Sequence, residues 1–426
     1  MSYHSPYKEF IFESYDFDAS TCTVEFRYSF DGIVKFTEKA YFDFQDSYDK
    51  HVLNAALQLT FILAGTSYYK AFPTKKLVVK NISLTEYQAN FFNTVYSHGL
   101  SQFIFENQLE RSDIGLFQAS ANAESVHTKY NGNGILLLQS GGKDSLLLAE
   151  LLLRAQIEYI PWYISQSESI PHVLHTLAYP VVHPIRQIDI DGLDTAKQLN
   201  ALNGHVPVTF ITLGYSLIDV VLRGKNTLLT AIGHEGEEPH AYIGDFAVTH
   251  QWSKTWPAEQ LFQEYVTKNI GDIHVGSPLR SFSELKIAKL FVENAWKKYG
   301  RNFSSCNLAN YKLGHDNSEL YWCGKCPKCA NSFLLFAGFV QPEELQEVFG
   351  ANLFDEPSLV DSFKGLLGMD AVMKPFECVG EIDELRRAYE LALANGYRPL
   401  PFDVPASNFD IDIQYPAQAW ATEMIQ

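Results

Sequence analysis

The junction between residues 135 and 153 limits this chain more than any other stretch. Ile135-Leu-Leu-Leu138 is an apolar run of strand length. Ser140-Gly141-Gly142-Lys143-Asp144-Ser145 follows, and Leu146 to Leu153 continues with helical apolar spacing. A strand that turns through paired glycines into a helix is the first half of a βαβ unit, and such units build parallel sheets covered by helices. The same junction is an anion site. Two glycines let the backbone turn tightly and approach a ligand closely, and successive N–H groups at the helix start point at it. Ser140 and Ser145 add hydroxyl donors, Lys143 a cation for phosphate, and Asp144 a carboxylate able to hold magnesium. The spacing is not that of the Walker loop, which needs Gly-x-x-x-x-Gly-Lys-Ser/Thr. A Gly-Gly turn with incidental polar neighbours is the competing reading, and the flanking strand and helix weigh against it.

The following segments repeat the alternation. Tyr159 to Ile164, Val181 to Ile190 and Asn226 to Ile232 read as strands; residues 145–156, 194–202, 210–223 and 283–299 read as helices. The expected fold class is α/β with a doubly wound parallel sheet. Upstream, Lys8 to Phe12, Thr23 to Ser29 and Ile33 to Tyr41 alternate in an aromatic-rich pattern, broken by Asp18-Ala-Ser-Thr21 and Asp31-Gly32, as in an antiparallel meander. A helix is expected from about Tyr48 to Leu63, a short strand at Leu77 to Val79, and a helical stretch from Leu84 to Phe105 capped by Ser83. Downstream, helices are expected near 343–349, 359–367 and 381–394, before a proline-bearing tail. At about 150 residues per domain, 426 residues suggest two or three. The pattern divides into an N-terminal α+β domain (1–125), a phosphate-loop domain (126–345) and a helical C-terminal extension (346–426).

Charge narrows the partners. With 33 Lys+Arg against 50 Asp+Glu, the net charge is −17. No excess of cations is available for nucleic acid or an anionic membrane, so phosphate must be handled at a local site. The apolar runs are too short to span a membrane, and the polar N-terminus lacks a signal-peptide core. A cytoplasmic protein is expected. Six cysteines are too few for a disulfide scaffold. Four of them, Cys306, Cys323, Cys326 and Cys329, are spaced C-x16-C-x2-C-x2-C. Thiolates at x2 spacing can point at one tetrahedral ion, and the distant fourth can close the site. A filled tetrahedron has no open position, so structural zinc is expected. Four unligated cysteines and an iron–sulfur cluster are the alternatives.

The hexapeptide Ser140 to Ser145 resembles the SGGxDS loop of the N-type ATP pyrophosphatases. The resemblance implies a PP-loop, adenine nucleotide α-hydrolase-like sheet. It implies that ATP is held by its β- and γ-phosphates, that AMP passes to a substrate oxygen, and that pyrophosphate leaves. A similar cysteine cluster occurs in 7-cyano-7-deazaguanine synthase, a shorter single-domain protein. The longer match covers most of the chain. Val24-Glu-Phe-Arg-Tyr-Ser-Phe-Asp31, Gly204-His-Val-Pro-Val-Thr209, His250-Gln-Trp-Ser-Lys254, Leu279-Arg-Ser-Phe-Ser-Glu-Leu-Lys-Ile-Ala288, Trp322-Cys-Gly-Lys-Cys-Pro-Lys-Cys329 and Pro375-Phe-Glu-Cys-Val-Gly-Glu381 resemble signatures of the UDP-N-acetyl-α-D-muramoyl-L-alanyl-L-glutamate epimerase family. The implied reaction adenylates the terminal glutamate's α-carboxylate, inverts its α-carbon from L to D, and releases AMP. The implied cofactors are ATP, magnesium and structural zinc. The implied partner is a UDP-sugar dipeptide, with no nucleic acid and no membrane; a homodimer is compatible with the sequence, which leaves the oligomeric state open.

Inversion needs general acid–base groups at the α-carbon and a donor for the enolate oxygen. Lys143 and Asp144 follow from the loop. Glu235, Glu237 and His234, in Gly233-His234-Glu235-Gly236-Glu237-Glu238 after a strand, lie where doubly wound sheets bind ligands and are candidates to bind metal or act as a base; an ordinary acidic loop is the competing reading. His250 and Lys254 are candidates for acid–base or diphosphate contacts, against merely structural roles. His205 fits a turn before Pro207. Arg280 fits a phosphate or carboxylate contact, or an ion pair of its own. Glu377-Cys378 is of interest because epimerases can use a thiol, although an inert buried cysteine is the plainer reading. A deazaguanine-synthase-like ligase acting through an acyl-adenylate is the alternative enzyme, and a degenerate nucleotide-binding scaffold the non-enzyme reading.

Overall fold

The structure is a computed structural model describing residues 3–43, 48–123, 129–312 and 318–425. Its strands are β1 (Glu9–Asp18), β2 (Thr23–Phe30), β3 (Val34–Tyr41), β4 (Lys76–Val79), β5 (Ile135–Leu138), β6 (Ile160–Trp162), β7 (Ile185–Gln187), β8 (Thr227–Leu229), β9 (Ala241–Ile243), β10 (Phe246–Val248) and β11 (His274–Gly276). β1, β2 and β3 form the expected meander. Asp31 and Gly32 both take positive φ, 51° and 71°, the twist a two-residue hairpin favours. Helix Lys50–Ala64 is capped by Asp49. The expected helix from Leu84 instead starts at Glu86, capped by Thr85 with Gln88 rather than by Ser83, and breaks at Leu100 before Ser101–Glu106.

The parallel sheet has the order β11-β8-β5-β6. The chain leaves β5 for β6 on one side, then returns past β5 to β8, so the strand order reverses at β5. Alternate side chains face opposite ways. Leu136, Trp162, Leu228 and Val275 point into a core shared with the N-terminal region and the helices Val208–Leu222 and Trp256–Asn269. Leu137 and Leu229 point into a second core, with the helices Lys143–Arg154, Glu284–Asn294, Pro327–Ala337 and the C-terminal helices. The sheet is therefore wound on both faces. At Gly214, a Cβ would lie 3.0 Å from Thr60 Oγ1, so this glycine is what lets Val208–Leu222 approach Lys50–Ala64 closely.

One expected strand is placed differently. Of Val181 to Ile190 only Ile185–Gln187 is a strand, and it joins the N-terminal sheet antiparallel to β3. Buried Glu38 on β3 clasps it, accepting from Arg186 Nε at 2.6 Å and from the Tyr215 hydroxyl. The C-terminal tail returns to the edge of the parallel sheet, where Gln418 Nε2 donates to Val275 O at 2.9 Å. Among the described residues, no helix is long and apolar enough to cross a membrane.

Candidate functional site

The loop between β5 and its helix keeps the shape its glycines allow. Gly141 has φ +76°, and a Cβ there would sit 2.5 Å from Leu320 Cδ1. Gly142 is the helix N-cap and supplies no side-chain bond, so the positive end of the helix has no capping side chain, and both glycines are buried. The two serines brace the loop: Gly142 N donates to Ser140 Oγ at 3.3 Å and Ser140 N to Ser145 Oγ at 3.3 Å.

Behind the loop lies a run of charges. Lys143 Nζ is 2.6 Å from Asp144 Oδ1 and 2.6 Å from Glu284 Oε2. Lys143 and Glu284 are buried, their side chains 7% and 6% exposed, while that of Asp144 is 28% exposed. Burial works to lower the Lys143 pKa, but Asp144 and Glu284 outweigh it and push it up. Asp144 is raised, first by burial and then by the charges of Glu284 and Glu235, against Lys143. Burial would raise Glu284, yet Lys143, Lys328 and Lys254 hold it below its ordinary value. Lys254 Nζ lies 3.3 Å from Glu235 Oε2. Against burial, the neighbouring Glu235, Glu284 and Asp144 hold its ammonium protonated. Glu284 comes from the first turn of a helix capped by Ser283. In the sequence it reads only as a helix-start acid, because its partner is 141 residues away.

The remaining candidates divide. His250 packs its ring 4.6 Å from that of His205 and lines a narrow cavity with Glu235 and Cys378. Burial pushes His205 down to about 4 and His250, with its charged neighbours, to about 2. Glu237 accepts from Trp256 N at 2.7 Å, and His234 contacts Glu381 and stacks on Tyr415, so both are committed to the scaffold. Arg280, 1% exposed, is not a ligand contact here. It binds Glu259 Oε2 through Nε and Nη2, at 3.0 and 2.8 Å, and the Gly233 and Lys254 carbonyls through Nη1.

On the other side of the loop a cleft of about 670 Å³ opens at the carboxyl ends of β5 and β6, lined by Ser140, Tyr163, Ser165, Arg186, Tyr215 and Asn310 among others. This is the volume of a small-ligand pocket, at the point where the strand order reverses. Below it the four cysteine sulfurs converge, all within 4.8 Å of one another. Cys306–Cys326, Cys323–Cys329 and Cys326–Cys329 sulfurs are 3.6, 3.7 and 3.5 Å apart. A Zn–S bond of about 2.3 Å gives a tetrahedral edge of about 3.8 Å, so the set fits one tetrahedral ion; several irons would need the sulfurs farther apart. Ala309, Lys325 and Cys329 N–H groups donate to cysteine sulfurs at 3.4 Å, and Gly324 supplies the positive φ of the turn.

Residues 1–276 match the family described as the MurL N-terminal domain, and residues 302–398 that described as the MurL C-terminal domain. The chain is 32% identical over 338 residues to the UDP-N-acetyl-alpha-D-muramoyl-L-alanyl-L-glutamate epimerase of Xanthomonas oryzae pv. oryzae, covering 78% of this chain and 73% of that one. Proteins of the same name from a Micromonospora species and from Salinispora tropica are also 32% identical. The Micromonospora match covers 88% of this chain and 84% of that one; the Salinispora match covers 97% and 90%.

Proposed function

The chain belongs to the MurL family, and on that premise we propose that it is the epimerase its relatives are named for, acting on UDP-N-acetylmuramoyl-L-alanyl-L-glutamate with ATP. The observation that carries the ATP chemistry is the glycine loop opening onto a nucleotide-sized cleft at the reversal point of a parallel sheet. This supports a PP-loop reading: adenosine in the cleft, and the β- and γ-phosphates at Ser140, Gly141, Gly142, Lys143 and Ser145. Burial, and then the charges of Glu284 and Glu235, raise Asp144, and a divalent cation beside it would favour its carboxylate. Magnesium held there would neutralise the phosphates.

Transfer of AMP turns the glutamyl α-carboxylate into a mixed anhydride and removes the charge that makes its α-proton hard to take. Lys254, steadied by Glu235, is the donor for the enolate oxygen, and His250 is the acid–base group at the α-carbon. The cysteine cluster holds zinc in a structural role. Residues 1–125 serve substrate docking: the adenosine cleft continues through Gln166 and Ile188 to Lys39 and Tyr41 on β3. Residues 126–345 carry the ATP chemistry, and residues 346–426 complete the site. A nucleotide-linked substrate is consistent with a cytoplasmic enzyme.

Incubation with ATP, magnesium and UDP-N-acetylmuramoyl-L-alanyl-L-glutamate in deuterated water tests this. The expected products are AMP, pyrophosphate and a D-configured glutamate deuterated at the α-carbon. AMP without α-deuteration would mean another acyl transfer, and absence of substrate-dependent AMP would remove the ATP chemistry altogether.

A further inference from the structure

The narrow cavity beside Lys254 and Glu235 has two walls, one from residues 235–251 and one from residues 374–381; His250 belongs to the first and Cys378 to the second. The protonation of His250 can be read from its partners. Gln102 donates its amide nitrogen to Glu106 Oε1 at 2.9 Å. Its amide oxygen therefore faces His250, 2.7 Å from Nδ1. An amide oxygen only accepts, so Nδ1 carries the hydrogen and Nε2 the lone pair. His250 is 9% exposed, and no described residue bonds to its Nε2. Burial, reinforced by His205, His240, Lys254 and Lys328, keeps the ring neutral.

Across the cavity Cys378 is a free thiol. Burial pushes its pKa up while Lys254 and Lys328 pull it down, so it keeps its proton beside two cations that would receive a thiolate. The wall that carries it is anchored along its length. Lys328 donates to the Cys378 carbonyl, Asn307 to Glu377, Asn331 accepts from Gly380 N at 3.1 Å, and Lys374 pairs with Glu238. The opposite wall holds one buried polar atom without a partner among the described residues, Gln251 Oε1. Buried polar atoms call for a partner, and here that partner would be a polar occupant of the cavity.

We propose that His250 Nε2 and Cys378 Sγ are the proton acceptor and donor at the glutamyl α-carbon, acting from opposite faces. The inference rests on the epimerase reading and adds its second acid–base group. His250 takes the α-proton of the adenylated L-epimer, and the C–H electron pair becomes the enolate. Cys378 then gives its S–H proton to the other face of the α-carbon as the enolate collapses, leaving imidazolium and thiolate. Their charges cancel, and one proton returns the pair to its starting state. Water finally displaces AMP. The cavity has room for about 10 Å³, scarcely one water. Lys374 and Glu238 tie the two walls together, and a space this small shuts bulk water from the carbanion.

The test is α-hydrogen exchange in deuterated water, run with the L-epimer and separately with the D-epimer, using the full-length enzyme with ATP and magnesium. Cys378→Ser and Cys378→Ala are expected to release AMP yet epimerise at least about 100-fold more slowly. Both should still exchange the α-hydrogen of the L-epimer and lose exchange from the D-epimer. His250→Gln should give the mirror pattern. Epimerisation by Cys378→Ala within threefold of the unaltered enzyme would overturn the proposal, as would loss of both exchanges together with AMP release intact. If the unaltered enzyme itself releases no AMP or shows no exchange, the fault lies in the epimerase reading instead.

Discussion

Glu384 is buried at the join between the C-terminal helix Ile382–Ala394 and the helix that presents Glu284 to Lys143. Its Oε1 accepts from Leu285 N at 2.6 Å. Burial, with the Glu284 and Glu381 charges, pushes its pKa up to about 8. The folded state thus disfavours the ionised form. Below pH 4.5 the carboxyl is protonated in both states and costs nothing. As pH rises from 4.5 to about 8, the unfolded chain ionises first and stability falls, by about 1.4 kcal/mol for each pH unit crossed. Glu384→Gln keeps an oxygen for Leu285 N. Its stability, measured by denaturant unfolding, should gain on the unaltered protein across that window, and parallel curves would disprove the raised pKa. At this scale the sequence was legible where neighbours are local. Ser140 to Ser145 could be read together because they adjoin. Glu284, Gln102 and Glu384 could not, since each acts on a residue about a hundred or more positions away.

Among the elements, the cysteine turn governs the others. Leu320 covers Gly141, Asn310 lines the cleft, Asn307 holds Glu377, and Lys328, between two of the cysteines, holds the Cys378 carbonyl. A metal lost from the sulfurs therefore loosens three parts of the site at once. Cys326→Ser, or chelation of the unaltered protein, should lower the melting temperature by several degrees, with metal content measured alongside. A variant that keeps its metal and its melting temperature but loses activity would show that the cluster is not structural. Periodicity found the long helices and the meander because each is set by its own pattern. It put Val181 to Ile190 in the wrong sheet, because three ladder residues that pair with β3 look the same as three that pair with a parallel neighbour. It also passed over Trp256–Asn269, whose apolar face is broken by Glu259, the buried partner of Arg280.

For the whole molecule, the parallel sheet is a wall between two cores. Residues 10–275 fill one side; Leu137, Leu229 and the inner face of Lys143–Arg154 need residues 285–400 for the other. Residues 1–276 produced alone should therefore expose that face, bind a hydrophobic dye and self-associate. A cooperative, monomeric unfolding transition from that fragment would refute the shared sheet. The overall α/β class was legible because alternating strands and helices admit few arrangements. The docking of the N-terminal region on the sheet was not, since it depends on a glycine, Gly214, meeting Thr60 from a distant part of the chain. The tail carries this logic into synthesis. Gln418 bonds the backbone of β11, the exposed margin of the sheet. Gln418 lies 143 positions beyond Val275, so during synthesis the margin stays open until that stretch of chain has emerged and folded back to seal it.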